Sequence, residues 1–223
     1  MLQVMRKHAR YFYVLFFIVI LSFIFWGVGT VDKTGDVVIV AEVGDYKITT
    51  EEYWKTYDSI YRFYREIYKD KFDEEMEKKM NLKENVLNSM VNERVLLIAA
   101  KEAGIIVTDE ELQDSIVREP AFMKNGVFDK EVYLNRLRLS RMTPEGFESS
   151  KRQELTVGKM RQLIALSVDV TDIDSRVQLP ENEEAAKMIV QTILNEAREK
   201  AVKSYIDGFK KTIKIKVDTQ VIT

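Results

Sequence analysis

The sequence predicts a mainly α-helical domain behind one transmembrane helix, with a small antiparallel sheet joining the domain's N- and C-terminal strands. Three observations carry this. Tyr11–Val28 is an uncharged apolar run. From Tyr53 to Phe209, apolar residues recur mostly at helical spacing. Val37–Val43 and Thr212–Val217, near the two ends of the remaining chain, have strand patterns.

The apolar run comes first. Eighteen residues at 1.5 Å rise give about 27 Å, close to the hydrocarbon thickness of a bilayer. Tyr11, Tyr13 and Trp26 lie near its ends, where amphipathic rings favour the headgroup level. Arg6, Lys7 and Arg10 flank only its N-terminal side, and no Asp or Glu occurs before Asp32. The positive-inside rule then assigns residues 1–10 to the cytoplasm, 11–28 to a transmembrane signal-anchor and 32–223 to the far side. A cleaved signal peptide would need a small-x-small site, and the bulky Phe25-Trp26 pair stands there instead. A buried core helix this apolar on every face is rare in a small domain.

The linker Val31–Asp36 leads to the strand Val37–Val43, a Gly44-Asp45 turn and a short return arm, Tyr46–Ile48. Thr49 and Glu52 have capping-box spacing. The helix they open carries Tyr53, Tyr57, Ile60, Tyr64 and Ile67 on one face, with Trp54, Tyr61 and Tyr68 beside them. That stripe reads as core packing. Asp73–Lys79 reads as a solvated helix face or a bend. A helix over Leu82–Ala103 buries Leu82, Val86, Leu87, Met90, Val91, Leu97 and Ile98, and Gly104 ends it. Thr108–Glu111 forms a second capping box, whose acids serve the helix dipole and not a metal. Glu119-Pro120 stops that helix. Ala121–Phe128 is a loop with an Asn125-Gly126 turn, and Asp129 caps a helix bearing Val132, Tyr133 and Leu137. Thr143-Pro144 starts another, running to Leu166 through Phe147, Leu155, Met160 and Leu163.

Val168–Pro180 reads as a connection. A long helix over 181–210 places Ala186, Ile189, Ile193, Ala197, Ala201, Tyr205 and Phe209 on one side. Thr212–Val217 alternates apolar and basic residues, a half-buried strand with its lysines facing water. Its natural partner is Val37–Val43, since an unpaired strand leaves backbone groups open.

Composition narrows the function. With 46% hydrophobic and 31% charged residues, the chain is globular and not disordered. Past the apolar run, 31 basic residues face 36 acidic ones, so phosphate backbones are not attracted and nucleic acid is no partner. There is no cysteine, which removes thiol nucleophiles, disulfides and Cys-based zinc sites. The single histidine, His8, adjoins the apolar run, which leaves the domain without His-based catalysis or metal ligation. No catalytic residue, metal or cofactor is called for.

Three stretches in order resemble a known family. VAEVGDYKITTEEYW (Val40–Trp54) is similar to the opening strand and first helix of SurA/PpiD-type periplasmic chaperones. LNSMVNERVLLIAAKEAGIIVTDEEL (Leu87–Leu112) resembles their second helix, glycine stop and third-helix start. PAFMKNGVFDKEVYLNRLRLSRMTPEGFESSKRQEL (Pro120–Leu155) resembles the segment that follows. The resemblance spans about Val40 to Leu166, with a similar C-terminal helix and strand. It implies a SurA-N-like chaperone domain, and the N-terminal anchor points to the membrane-tethered, PpiD-like branch without its parvulin domain. About a dozen residues stand where that isomerase domain is inserted in other members. The resemblance also implies a place at the bacterial inner membrane near the secretion translocon, with the bulk of the chain periplasmic.

A holding chaperone needs an adaptable apolar surface and no nucleophile. Phe122, Met123, Phe128, Tyr133 and Met142 lie in or beside the Ala121–Phe128 loop and are the candidates for contact with unfolded clients. The other role open to them is to seat the loop on the core. The alternatives for the whole chain are a scaffold at the translocon or an envelope assembly, and a peptidyl-prolyl isomerase.

Overall fold

The computed structural model describes residues 38–168 and 182–222. The anchor run Tyr11–Val28, its basic flank Arg6, Lys7 and Arg10, and nearly all of the Val168–Pro180 connection lie outside the described residues. Among the described residues, no helix is long and apolar enough to cross a membrane.

The N- and C-terminal strands meet as their patterns require. Strand β1 (Ile39–Val43) lies between β2 (Tyr46–Thr49) and β5 (Ile215–Val217), antiparallel to both. The β1–β2 turn needs Gly44 on two counts. Its φ is +55°, and a Cβ there would stand 3.0 Å from Ile98 Cδ1. β5 is shorter than the alternating pattern, because the end of the last helix unwinds through Lys211 and Thr212. Their N–H groups donate to the Gly208 and Phe209 carbonyls at 3.1 and 2.9 Å. Lys216 faces solvent and reaches Glu42 across the strand pair at 3.3 Å.

Among the described residues there are seven α-helices. They are α1 (Thr50–Tyr68), α2 (Glu74–Lys79), α3 (Leu82–Glu102), α4 (Asp109–Val117), α5 (Lys130–Leu139), α6 (Pro144–Leu166) and α7 (Glu183–Phe209). Helix α3 is the hub. Ten of its 21 residues are buried, more than one face can hold, and it packs on β1, β2, α1, α2, α6 and α7. Gly104 ends it at φ +69°, with the Ile105 N–H donating back to the Ala100 carbonyl at 2.9 Å, a Schellman closure.

Helix α1 departs from its predicted core stripe. Tyr53 and Tyr57 are buried, their hydroxyls donating to the Lys83 carbonyl (3.1 Å) and Glu77 Oε1 (2.5 Å). Ile67 and Tyr68 are exposed, because the helix outruns the core beneath it. The predicted capping box is also half made. Thr49 Oγ1 accepts from the Glu52 N–H at 3.1 Å, but the Glu52 carboxylate pairs with Arg94 of α3.

Helix α7 turns a different side inward than the predicted one. Leu194, Val202 and Ile206 are its buried residues, while Ile189 and Tyr205 are exposed. Positions 194, 202 and 206 share one line at four-residue steps, and Val202 and Ile206 join the core that the sheet, α3 and α6 share. Ala201 and Phe209 keep partial burial beside that line.

The core has two parts. The main cluster joins the sheet to α1, α3, α6 and α7. A satellite of Val107, Leu112, Ile116, Phe122, Tyr133 and Leu137 lies under α4, α5 and the intervening loop. Helix α6 serves both, with Val157, Met160 and Ile164 in the first and Phe147 and Leu155 against the second.

Candidate functional site

Each turn of the satellite lobe is fixed by local chemistry. The Thr108 capping box is complete: Thr108 Oγ1 accepts from the Glu111 N–H at 3.2 Å, and Glu111 Oε2 accepts from the Thr108 N–H at 2.8 Å. Pro120–Phe122 forms a 3-10 turn, followed by a two-residue hairpin, β3 (Met123–Lys124) and β4 (Val127–Phe128). Asn125 and Gly126 have φ values of 54° and 82°, the two left-handed residues of a type I′ turn. Asp129 Oδ1 accepts from the Glu131 and Val132 N–H groups at 2.8 and 3.0 Å to start α5. Arg141, at φ 54°, reverses the chain into α6, where Thr143 caps and Pro144 occupies the first turn.

These turns converge four aromatic rings. Phe122 meets Tyr133 at 5.0 Å and Phe147 at 5.3 Å, both edge to face, and Phe128 lies 6.0 Å from Tyr133. Phe122 and Tyr133 are buried, so they form the floor. Met123, Phe128 and Met142 are half-buried at the edge. The Tyr133 hydroxyl is buried with no hydrogen-bond partner among the described residues. Burial raises its pKa, and the charges of Glu148 and Glu145 add to the rise.

Sequence reasoning missed the outer surface. Val127 and Leu139 are 70% and 73% exposed, and Leu134 and Ile106 also face water. The signal was present. Val127 and Phe128 are consecutive in a strand arm and must point to opposite sides. On α5, Tyr133 and Leu137 are one turn apart and inward, which turns Leu139 outward.

Basic residues of α6 fasten this lobe. Arg152 donates to the Val107 carbonyl and Asp109, both at 2.6 Å. Lys159 donates to the Ile106 carbonyl at 2.9 Å and Glu111 at 2.6 Å. The Lys159 hydrogen bond, followed by the Thr108 backbone N–H, lowers the Glu111 pKa. Lys151, largely enclosed, holds Glu154 at 2.9 Å and Glu119 at 3.4 Å. Burial pulls its pKa down, but the two carboxylates together outweigh that and the net shift is upward.

Grooves also lie elsewhere among the described residues. One, of about 750 Å³, has Trp54, Tyr57, Glu77 and Ile222 among its lining, and Lys83 Nζ stands 5.6 Å from the Trp54 ring centre. Another, of about 490 Å³, runs between α3 and α7 past Asn88, Asn92 and Lys203. Both mix polar with apolar walls. Among the described residues, no group of His, Cys, Asp or Glu side chains could hold a metal ion.

The helical body, the closing sheet and the lobe on α6 make a mainly α-helical domain with small antiparallel sheets. The chain belongs to the family of SurA-like N-terminal domains, whose model matches residues 1–161. It is similar to a solved structure from Campylobacter jejuni, reported with the virulence factor PEB4 and the periplasmic protein Cj1289 as "two structurally related SurA-like chaperones". That likeness has a TM-score of 0.51 at 14% identity and covers 81% of this chain and 99% of that one, a similarity of fold. No curated protein matches the sequence.

Proposed function

We propose that this chain is a membrane-anchored periplasmic chaperone that holds unfolded or newly translocated envelope proteins without catalysing a reaction on them. Family membership supports the chaperone role. The basic-flanked apolar run supports the anchor, the N-terminus cytoplasmic and the bulk periplasmic. The chain's lack of cysteine and its lone His8 support binding without catalysis.

The observation that carries the reading is the edge of the satellite lobe. Phe128 and Met142 pack half-buried against the cluster that holds Phe122 and Tyr133, Met123 is half-buried as the cross-strand partner of Phe128, and Val127 and Leu139 are exposed on the same lobe. Thioether side chains repack around differing partners, and the aromatic floor supplies apolar area. An extended apolar segment gains contact there and leaves the charged remainder of the surface in water. Anchoring raises the effective concentration of this surface where chains emerge from the membrane.

The test is light scattering by a thermally unfolding client with the full chain in detergent. The parent protein suppresses aggregation, and a Val127→Asp/Leu139→Asp variant suppresses it less at unchanged helicity. No suppression by the parent at several-fold excess rejects the reading. Acceleration of proline isomerisation in a test peptide would reject its non-catalytic part.

A further inference from the structure

We infer that the free end of α1 is a membrane-surface contact, in which Phe63, Ile67 and Tyr68 enter the interface of an anionic bilayer and Arg65, Lys69 and Lys71 meet its headgroups. This rests on the anchored reading above.

Helix α1 has 19 residues and is about 28 Å long. Its buried residues, Tyr53 and Tyr57, both lie in the first half. Tyr64 is its last residue packed against the core. Phe63 and Ile67, one turn apart on one face, are 58% and 55% exposed, and Tyr68 is 39% exposed. Tyr68 stacks on Tyr64 at 6.1 Å and Tyr64 on the buried Phe72 at 5.6 Å, so the exposed rings stand on a stiff support. The helix stops abruptly. Lys69 takes φ 50°, and the Phe72 N–H donates to the Lys69 carbonyl at 3.1 Å, which makes a blunt tip.

The charge at this tip selects the partner. Between Arg62 and Phe72 the sequence has four basic residues, Arg62, Arg65, Lys69 and Lys71, against Glu66 and Asp70. Arg65, Lys69 and Lys71 are exposed, and none forms a side-chain ion pair with a described residue. The chain beyond the apolar run is acidic overall, so the tip has the opposite sign to its surroundings. Large apolar side chains ringed by cations are the composition of an interfacial anchor on acidic lipid. A second copy of the chain, meeting the same patch about a two-fold axis, would set cations against cations. An unfolded client gives no reason for one sign of charge.

The absence of cysteine permits a site-specific probe. Full-length Phe63→Cys and, as control, Leu139→Cys would be labelled with an environment-sensitive nitrobenzoxadiazole dye. Both would be reconstituted in phosphatidylcholine vesicles with and without phosphatidylglycerol. The probe on position 63 shifts to the blue and brightens when phosphatidylglycerol is present. Arg65→Gln/Lys69→Gln/Lys71→Gln abolishes that shift, and the probe on position 139 reports water throughout. If the protein floats with vesicles while position 63 reports water, the contact is refuted and the anchor stands. If the protein does not float with the vesicles, both fall. A blue shift caused equally by an unfolded polypeptide in detergent would assign the tip to clients and overturn the inference.

Discussion

Replacing Phe122 with alanine separates a floor residue from a contact residue. The ring is 5% exposed and sits between Tyr133 and Phe147 at 5.0 and 5.3 Å. Removing it costs the transfer energy of the ring and leaves a cavity that rigid neighbours cannot close. Buried Phe→Ala changes of this kind cost about 3–5 kcal/mol. The satellite cluster has six buried members, so a loss of that size weakens the lobe before the main core. Hydrogen exchange should then quicken in α4, α5 and the β3–β4 hairpin, with α3 protected at its parent level. Phe122→Leu, which refills most of the volume, should restore protection. Aggregation suppression should follow lobe protection across the three proteins. If Phe122→Ala abolished suppression while exchange in the lobe stayed unchanged, Phe122 would be a direct client contact, and the floor-and-edge arrangement would be wrong.

Three further outcomes are expected. Gly44→Ala forces a side chain into the left-handed region and against Ile98. The left-handed strain alone costs about 1–2 kcal/mol, and the melting temperature should fall by several degrees; an unchanged value would show that the turn relaxes freely. Glu111, its pKa lowered by Lys159 and the Thr108 N–H, stabilises the lobe fully above its ordinary value of 4.5 and loses this as pH falls through the lowered value. Carboxyl NMR should place its midpoint below 4.5, and Lys159→Met should move it upward. Burial, with the charge of Glu77 adding to it, raises Tyr53 to about 12. The neutral hydroxyl therefore stabilises the fold below pH 10, and this is lost as pH rises toward 12. Ultraviolet titration of the parent against Tyr53→Phe should remove a late-titrating phenol.

What the sequence revealed and what it concealed divide by the range of the chemistry involved. Gly104, the Thr108 box, Asp129, Thr143-Pro144 and Asn125-Gly126 act on backbone groups within a few residues, and each does in the fold what its spacing predicts. Glu52 has the same local spacing as Glu111, yet its carboxylate goes to Arg94, 42 residues away. A guanidinium brought alongside by α3 offers a charge-assisted partner that a backbone amide cannot match. The inward side of α7 was hidden for a related reason. Apolar residues occur on more than one side of this 27-residue helix, and only packing against α6 and α3 chooses among them.

The candidate site was legible as a segment but not as a surface. Ala121–Phe128 stood out because a turn-rich stretch held large apolar residues. Its burial depends on Val107, Leu137 and Phe147, which the segment before α4, α5 and α6 bring in from both sides along the chain. A loop that seats its own rings on such a cluster cannot also offer all of them to a partner. The five candidates therefore divide by depth: Phe122 and Tyr133 set the shape, and Met123, Phe128 and Met142 remain within reach. The α6 cations that fasten α4 to the main body act on the same lobe. Loosening the Lys159–Glu111 or Arg152–Asp109 pair should therefore change client affinity without touching an apolar side chain. That coupling follows from α6 belonging to both clusters, since a displacement of the lobe must move Phe147 and Leu155 against a helix whose other end is fixed by Val157, Met160 and Ile164.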